Sequence, residues 1–92
     1  MEELIEKLKA RLRITILDEE VEDLVKACRK DLEISGIYGE FDDPLYYQAI
    51  VLYLKANFGY SDQQEKFQRA YEALKISMAL SGDYKKVESG QE

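Results

Sequence analysis

Residues 44–58 read PLYYQAIVLYLKANF, and this stretch decides the fold. Its one charged side chain is Lys55, whereas the sequence on both sides is dense with charge. Asp43 is a good N-cap, and Pro44 fits the first helical position, where its missing N–H would be unbonded in any case. At 100° per residue, Gln48 and Lys55 fall on one line and almost every other position around the helix is apolar. Tyr46, Ile50 and Tyr53 lie opposite that line. Ala49 and Ala56 flank them on one side, and Tyr47, Leu54 and Phe58 on the other. A helix that is apolar on most faces must be covered on most faces. In 92 residues the other helices supply two or three of those covers, which leaves the remainder open to a partner subunit. Tyr46, Tyr47, Val51, Leu52 and Tyr60 are therefore candidate interface residues, Tyr being enriched where a surface is apolar in body and wet at its edge. Tyr53 and Tyr71 are expected to line the core.

The flanking sequence carries helical stripes. Residues 2–12 place Leu4, Ile5, Leu8 and Leu12 at helical spacing. The following residues form an extended connector with Ile14, Ile16 and Leu17 tucked inward. Asp18 is expected to cap a second helix whose early turns hold Glu19, Glu20, Glu22 and Asp23, where the helix dipole favours anions. Its stripe is Val21, Leu24, Val25, Cys28 and Leu32, and it stops near Ser35-Gly36. The loop GIYGEFDD, residues 36–43, is apolar for a loop, and Ile37, Tyr38 and Phe41 are expected to fold back over the core. A last helix is capped by Ser61 or Asp62, carries the stripe Phe67, Ala70, Tyr71, Leu74 and Met78, and closes at Gly82 in a left-handed cap. The prediction is an all-α bundle of four to five helices around the central helix 44–58. Residues 1–82 form the domain, and residues 83–92 form a polar tail that orders only on contact with a partner.

Composition narrows the function. One domain fits in this length, and 46% hydrophobic with 35% charged residues describes a globular chain. No apolar run reaches the ~18 residues of a membrane helix, and the start, MEELIEKLKA, is too acidic for a signal peptide. The single Cys rules out an internal disulfide and suits a reducing cytoplasm. The chain has no His, so the commonest general base and a common zinc ligand are missing. Cys28, lying in a core stripe with no imidazole to activate it, reads as a buried thiol. There is no phosphate-binding Gly-rich loop, and Glu40, Asp42 and Asp43 are too weak a pattern for a metal. No catalytic residue, cofactor or metal is assigned. Net charge is −6, with seven acids against three bases in residues 18–35. The basic candidates Lys7, Lys9, Arg11 and Arg13 follow Glu2, Glu3 and Glu6, which reads as a solvated helix face rather than a nucleic-acid groove.

A family resemblance rests on LKARLRI (8–14), DLEISGI (31–37), DDPL (42–45) running into QAI (48–50), KANFGY (55–60), YEALK (71–75) and SGDY (81–84), in that order and spacing. The chain resembles the small head–tail connector, or head-completion and DNA-packaging adaptor, proteins of tailed bacteriophages and prophages of Gram-positive bacteria. The resemblance implies a non-enzymatic all-α subunit that joins a homo-oligomeric ring beneath the portal protein. The ring extends the DNA channel and presents a docking face to the next connector or tail-completion protein. It implies residence at the virion head–tail junction, with assembly in the host cytoplasm. It also implies attachment to the portal through the C-terminal segment, which makes Tyr84 and Val87 candidate anchors. A closed ring uses two different faces of one subunit, and an acidic subunit lets DNA slide past without tight binding. The alternative is a small helical DNA-binding regulator acting as a dimer, with Lys66 and Arg69 on a recognition helix.

Overall fold

The computed structural model describes residues 2–13, 17–58 and 63–85. Four helices occur in the order α1 (Glu2–Leu12), α2 (Asp18–Ile34), α3 (Pro44–Phe58) and α4 (Gln64–Ser81), with no strand among the described residues. The all-α prediction holds, with four helices. α3 is the central element: it packs along α4 and also meets α1 and α2.

Local chemistry explains most helix ends. At the start of α3 the Asp43 carboxylate accepts hydrogen bonds from the Leu45 and Tyr46 N–H groups at 2.9 and 3.3 Å, the capping expected of it. α2 ends in a Schellman motif: Gly36 has φ 83°, its N–H donates to the Glu33 carbonyl, and the Ile37 N–H donates to the Leu32 carbonyl. That turn drives Ile37 into the core beside Leu32, both fully buried. The loop folds back as expected, with Tyr38 and Phe41 half-buried. Gly82 closes α4 at φ 80°.

Two expected caps differ. The N-cap of α2 is Leu17, whose carbonyl receives the Glu20 and Val21 N–H groups. The Asp18 carboxylate instead receives the Lys9 ammonium at 2.7 Å. Leu17 consequently points outward and is 71% exposed, not tucked inward. Ile14 and Ile16 lie outside the described residues. The N-cap of α4 is Gln63, whose side chain does not make the capping hydrogen bond. Ser61 and Asp62 lie outside the described residues, and Glu65 forms an i,i+4 pair with Arg69.

The core follows the stripes. Ile5, Leu8 and Leu12 of α1, Val21, Val25, Cys28 and Leu32 of α2, and Tyr71 and Met78 of α4 close around Tyr46, Ile50, Val51 and Leu54 of α3. The α4 stripe is narrower than its periodicity suggests. Leu74 and Phe67 are half-buried and Ala70 is exposed, because α4 is covered chiefly by one neighbour, α3.

Candidate functional site

Side-chain chemistry gathers at two places. The first joins α2 to α4. The Tyr71 hydroxyl donates to Asp31 Oδ2 at 2.6 Å, and Lys75 Nζ donates to the same oxygen at 3.0 Å. Cys28, one helical turn before Asp31, directs its Sγ at the Tyr71 oxygen at 3.9 Å. The Tyr53 ring packs edge-on against Tyr71 with centroids 5.3 Å apart. Burial pushes the Cys28 thiol up to about 12, only partly opposed by the Tyr71 contact. The Tyr71 phenol is driven upward by burial and by the Asp31 carboxylate it binds. Burial works to raise Asp31, but hydrogen bonds from Tyr71 and Lys75 outweigh it and hold the carboxyl below its usual value. A buried thiol with a raised pKa is no nucleophile, so this arrangement serves as a polar tie between helices.

The second place is where the chain returns after α4. Gly82 turns it back, and Tyr84 inserts into the main core at 8% exposure. The Tyr84 hydroxyl donates to Asp43 Oδ1 at 3.0 Å, and its carbonyl receives the Tyr38 N–H at 2.6 Å. Asp43 thus caps α3 and holds the C-terminal segment with one carboxylate. Beside this clasp lies a cleft of about 400 Å³ lined by Arg29 and Glu33 of α2, Tyr38, Gly39 and Glu40 of the loop, Tyr46 of α3, and Asp83 and Lys85. The Tyr46 hydroxyl is buried without a hydrogen-bond partner among the described residues, as is that of Tyr47. Burial raises the Tyr46 phenol, and the nearby Arg29 guanidinium opposes this. The Arg29 side chain lies over the Phe41 ring, 4.8 Å from its centroid.

The expected interface residues of α3 are found largely inside the subunit. Tyr46 and Val51 are fully buried, Tyr47 is 8% exposed beneath Lys7 and Arg11, and Leu52 is half-buried. The chain's own α1, the back-folded loop and Tyr84 supply covers that periodicity alone left to a partner. Tyr84, expected on a free tail, is held in the core. Tyr60 and Val87 lie outside the described residues.

The exposed apolar side chains are others: Leu17, Ile34, Leu45, Ile76 and Leu80. Sequence reasoning did not single out Ile34, Ile76 and Leu80 as outward-facing. The signal was present, because each stands off the buried stripe of its helix. On α4 the exposed residues from Ala73 to Ser81 are Ala73, Ile76, Ser77, Ala79, Leu80 and Ser81, none of them charged. Lys75, the cation in that stretch, is turned inward to Asp31 and Glu72. Of the expected recognition-helix cations, Lys66 is exposed and Arg69 pairs with Glu65. Among the described residues no group of three or more His, Cys, Asp or Glu could hold a metal ion, and no helix is long and apolar enough to cross a membrane.

These features define a small all-helical domain, with exposed apolar residues distributed over several outer faces. The sequence pattern of the phage connector protein family matches residues 4–85, and the chain belongs to that family. Its role is that of a structural phage connector. Comparison with curated proteins and with solved structures returned no match.

Proposed function

We propose that the chain forms a ring under the portal, joins head to tail and extends the DNA channel. Membership of the connector family over residues 4–85 carries this reading. The distribution of exposed apolar side chains supports it: Leu17 and Ile34 mark the two ends of α2, Leu45 the start of α3, and Ile76 and Leu80 the outer side of α4. A ring needs two dissimilar faces on each subunit, whereas a two-fold dimer needs one self-complementary patch. The net charge of −6 suits a channel through which a polyanion must slide.

The partners in this reading are neighbouring copies, the portal and the next connector or tail-completion protein, at the head–tail junction. The C-terminal segment is the proposed portal contact, with Val87 as its candidate anchor. Tyr84 leaves that role because its hydroxyl and carbonyl are engaged within the subunit. The test is co-sedimentation of full-length and 86–92-deleted protein with purified portal, followed by electron microscopy of the bound material. Truncation after Lys85 spares the Tyr84 clasp, and an unchanged helical spectrum of the truncated form separates lost binding from lost folding. Rings on the portal that vanish with the truncation support the reading. Absence of any full-length protein on the portal sinks it. Equal binding by both forms removes the tail from the interface.

A further inference from the structure

We propose that the side of the subunit carrying Lys7, Arg11 and Lys55 docks on the acidic first half of α2 in a second copy. This rests on the ring reading and gives it a specific head-to-tail contact.

The basic side is assembled where α1 and α4 flank α3. Lys7 Nζ and the Arg11 guanidinium lie over the Tyr47 ring, 4.7 and 5.7 Å from its centroid, and Arg11 donates to Gln48 Oε1 at 3.3 Å. Lys55, on the same line of α3 as Gln48, lies over the Phe67 ring of α4 at 5.2 Å. None of the three cations forms an ion pair among the described residues. The acid on that side of α1 is Glu3, one turn before Lys7, and it forms no ion pair either. α4 brings no charge here, since Phe67 is followed at i+3 and i+7 by Ala70 and Leu74. Half-buried Leu52, one turn after Gln48, adds apolar surface between the cations. The rings hold these long side chains in place, so less rotamer freedom remains to be lost when they pair.

The acidic side faces the other way. α2 packs against the Tyr46–Tyr53 side of α3, with Cys28 at Tyr71 and Tyr71 edge-on to Tyr53. That side lies opposite the Gln48–Lys55 line. Val21, Val25, Cys28 and Leu32 face inward. Glu19 and Asp23 each stand two residues from Val21, roughly 200° round the helix, and so face away from α3. They and Glu20 are exposed and form no ion pair among the described residues, whereas Asp18 and Glu22 are matched by Lys9 and Lys26. A chain of net charge −6 repels its own copies at long range, so association is favoured where unmatched opposite charges are collected on separate faces. These two faces are complementary, dissimilar and back to back across α3, the arrangement that repeats head to tail. The same net charge disfavours a polyanion such as duplex DNA on the basic side.

The experiment uses the full chain in sedimentation velocity at rising concentration and low salt, and on purified portal. One variant combines Lys7→Glu with Lys55→Glu, and a second combines Glu19→Lys with Asp23→Lys. Each alone should self-associate about tenfold or more weakly than the parent. Mixed in equal amounts, the two should associate again, because each then offers the charge that the other's reversed face needs. A merely structural role for these residues would not produce that rescue. Lys7→Gln with Lys55→Gln keeps neutral side chains at both positions and should weaken association less than the Glu pair, which tests the contact even if a charge-reversed chain fails to fold. If the parent associates while the Glu and Gln pairs associate equally well, the basic side is not the contact and the ring reading stands. If folded charge-reversed variants stay apart when mixed, the two faces do not meet and the proposal falls. Retarded migration of a random DNA duplex by the parent, lost in the Lys7→Glu, Lys55→Glu variant while its association is unchanged, would make the basic side a phosphate contact instead. If the parent associates neither alone nor on purified portal, both readings fall.

Discussion

Asp43→Ala should be among the most damaging single changes at a polar position. Its Oδ1 accepts the Leu45 and Tyr46 N–H groups and the Tyr84 hydroxyl. Loss of an N-cap costs about 1 kcal/mol, and loss of a hydrogen bond to a charged acceptor costs about 1.5–3 kcal/mol. The expected total is about 2.5–4 kcal/mol, a large share of the stability of a small domain. Tyr84→Phe removes only the hydroxyl bond and should cost about 1 kcal/mol. Urea denaturation followed by helical circular dichroism gives both values and the double mutant. Because the two groups touch, the effects should be non-additive by about 1 kcal/mol, with Tyr84→Phe nearly silent once Asp43 is gone. If Tyr84→Phe costs as much in the Asp43→Ala background as in the parent, the hydroxyl has another partner and the shared-carboxylate reasoning fails.

Three further outcomes are expected. Gly39→Ala should lower stability by about 1–3 kcal/mol, since the added Cβ would run into the fully buried Tyr46 ring; an unchanged melting temperature would mean that the loop moves aside freely. Cys28, fully buried with its thiol pushed up to about 12, should react with a thiol reagent only on unfolding; equal labelling rates in native and denatured protein would place it on the surface. Burial raises the phenols of Tyr46, Tyr53, Tyr71 and Tyr84 above the ordinary 10.0, so the folded state holds these protons more tightly than the unfolded state does. Their contribution to stability is complete below pH 10 and is lost as pH rises beyond it. Tyrosinate absorbance and helix loss should then appear together in alkaline titration, and ionisation of all tyrosines in a still-helical protein would contradict the burial.

The helices were legible because their information is local. The Asp43 cap, the α2 stripe from Val21 to Leu32 and the Gly82 stop each depend on residues within a few turns. Cover was not legible. Periodicity marks Tyr46, Tyr47 and Val51 as apolar, but cannot tell whether a loop, a neighbouring helix or another molecule lies over them. Ile37 is aimed inward by the Gly36 turn, and Tyr84 reaches back 41 residues to Asp43. A single aromatic inside a polar segment carries no periodic signal. The Asp31–Lys75 pair, 44 residues apart, was invisible for the same reason. Leu17 misled because its apolar side chain suggested burial, while its backbone was needed as the α2 cap. Recognition of the family came from ordered short stretches spanning the domain, whereas the interface residues proposed from α3 required knowledge of what the chain itself supplies.

The position of the Tyr84 clasp bears on the order in which the molecule assembles. α3 and α4 are neighbours in sequence and share the most extensive packing, so they can meet after closing a short loop. The bond from Tyr84 to Asp43 instead requires both helices to be in place and the chain to turn at Gly82. An interaction of that kind is expected to form after the folding barrier and to break before it is recrossed. Weakening it should therefore leave the folding rate nearly unchanged and accelerate unfolding, so that the clasp governs how long a subunit persists rather than how quickly it appears.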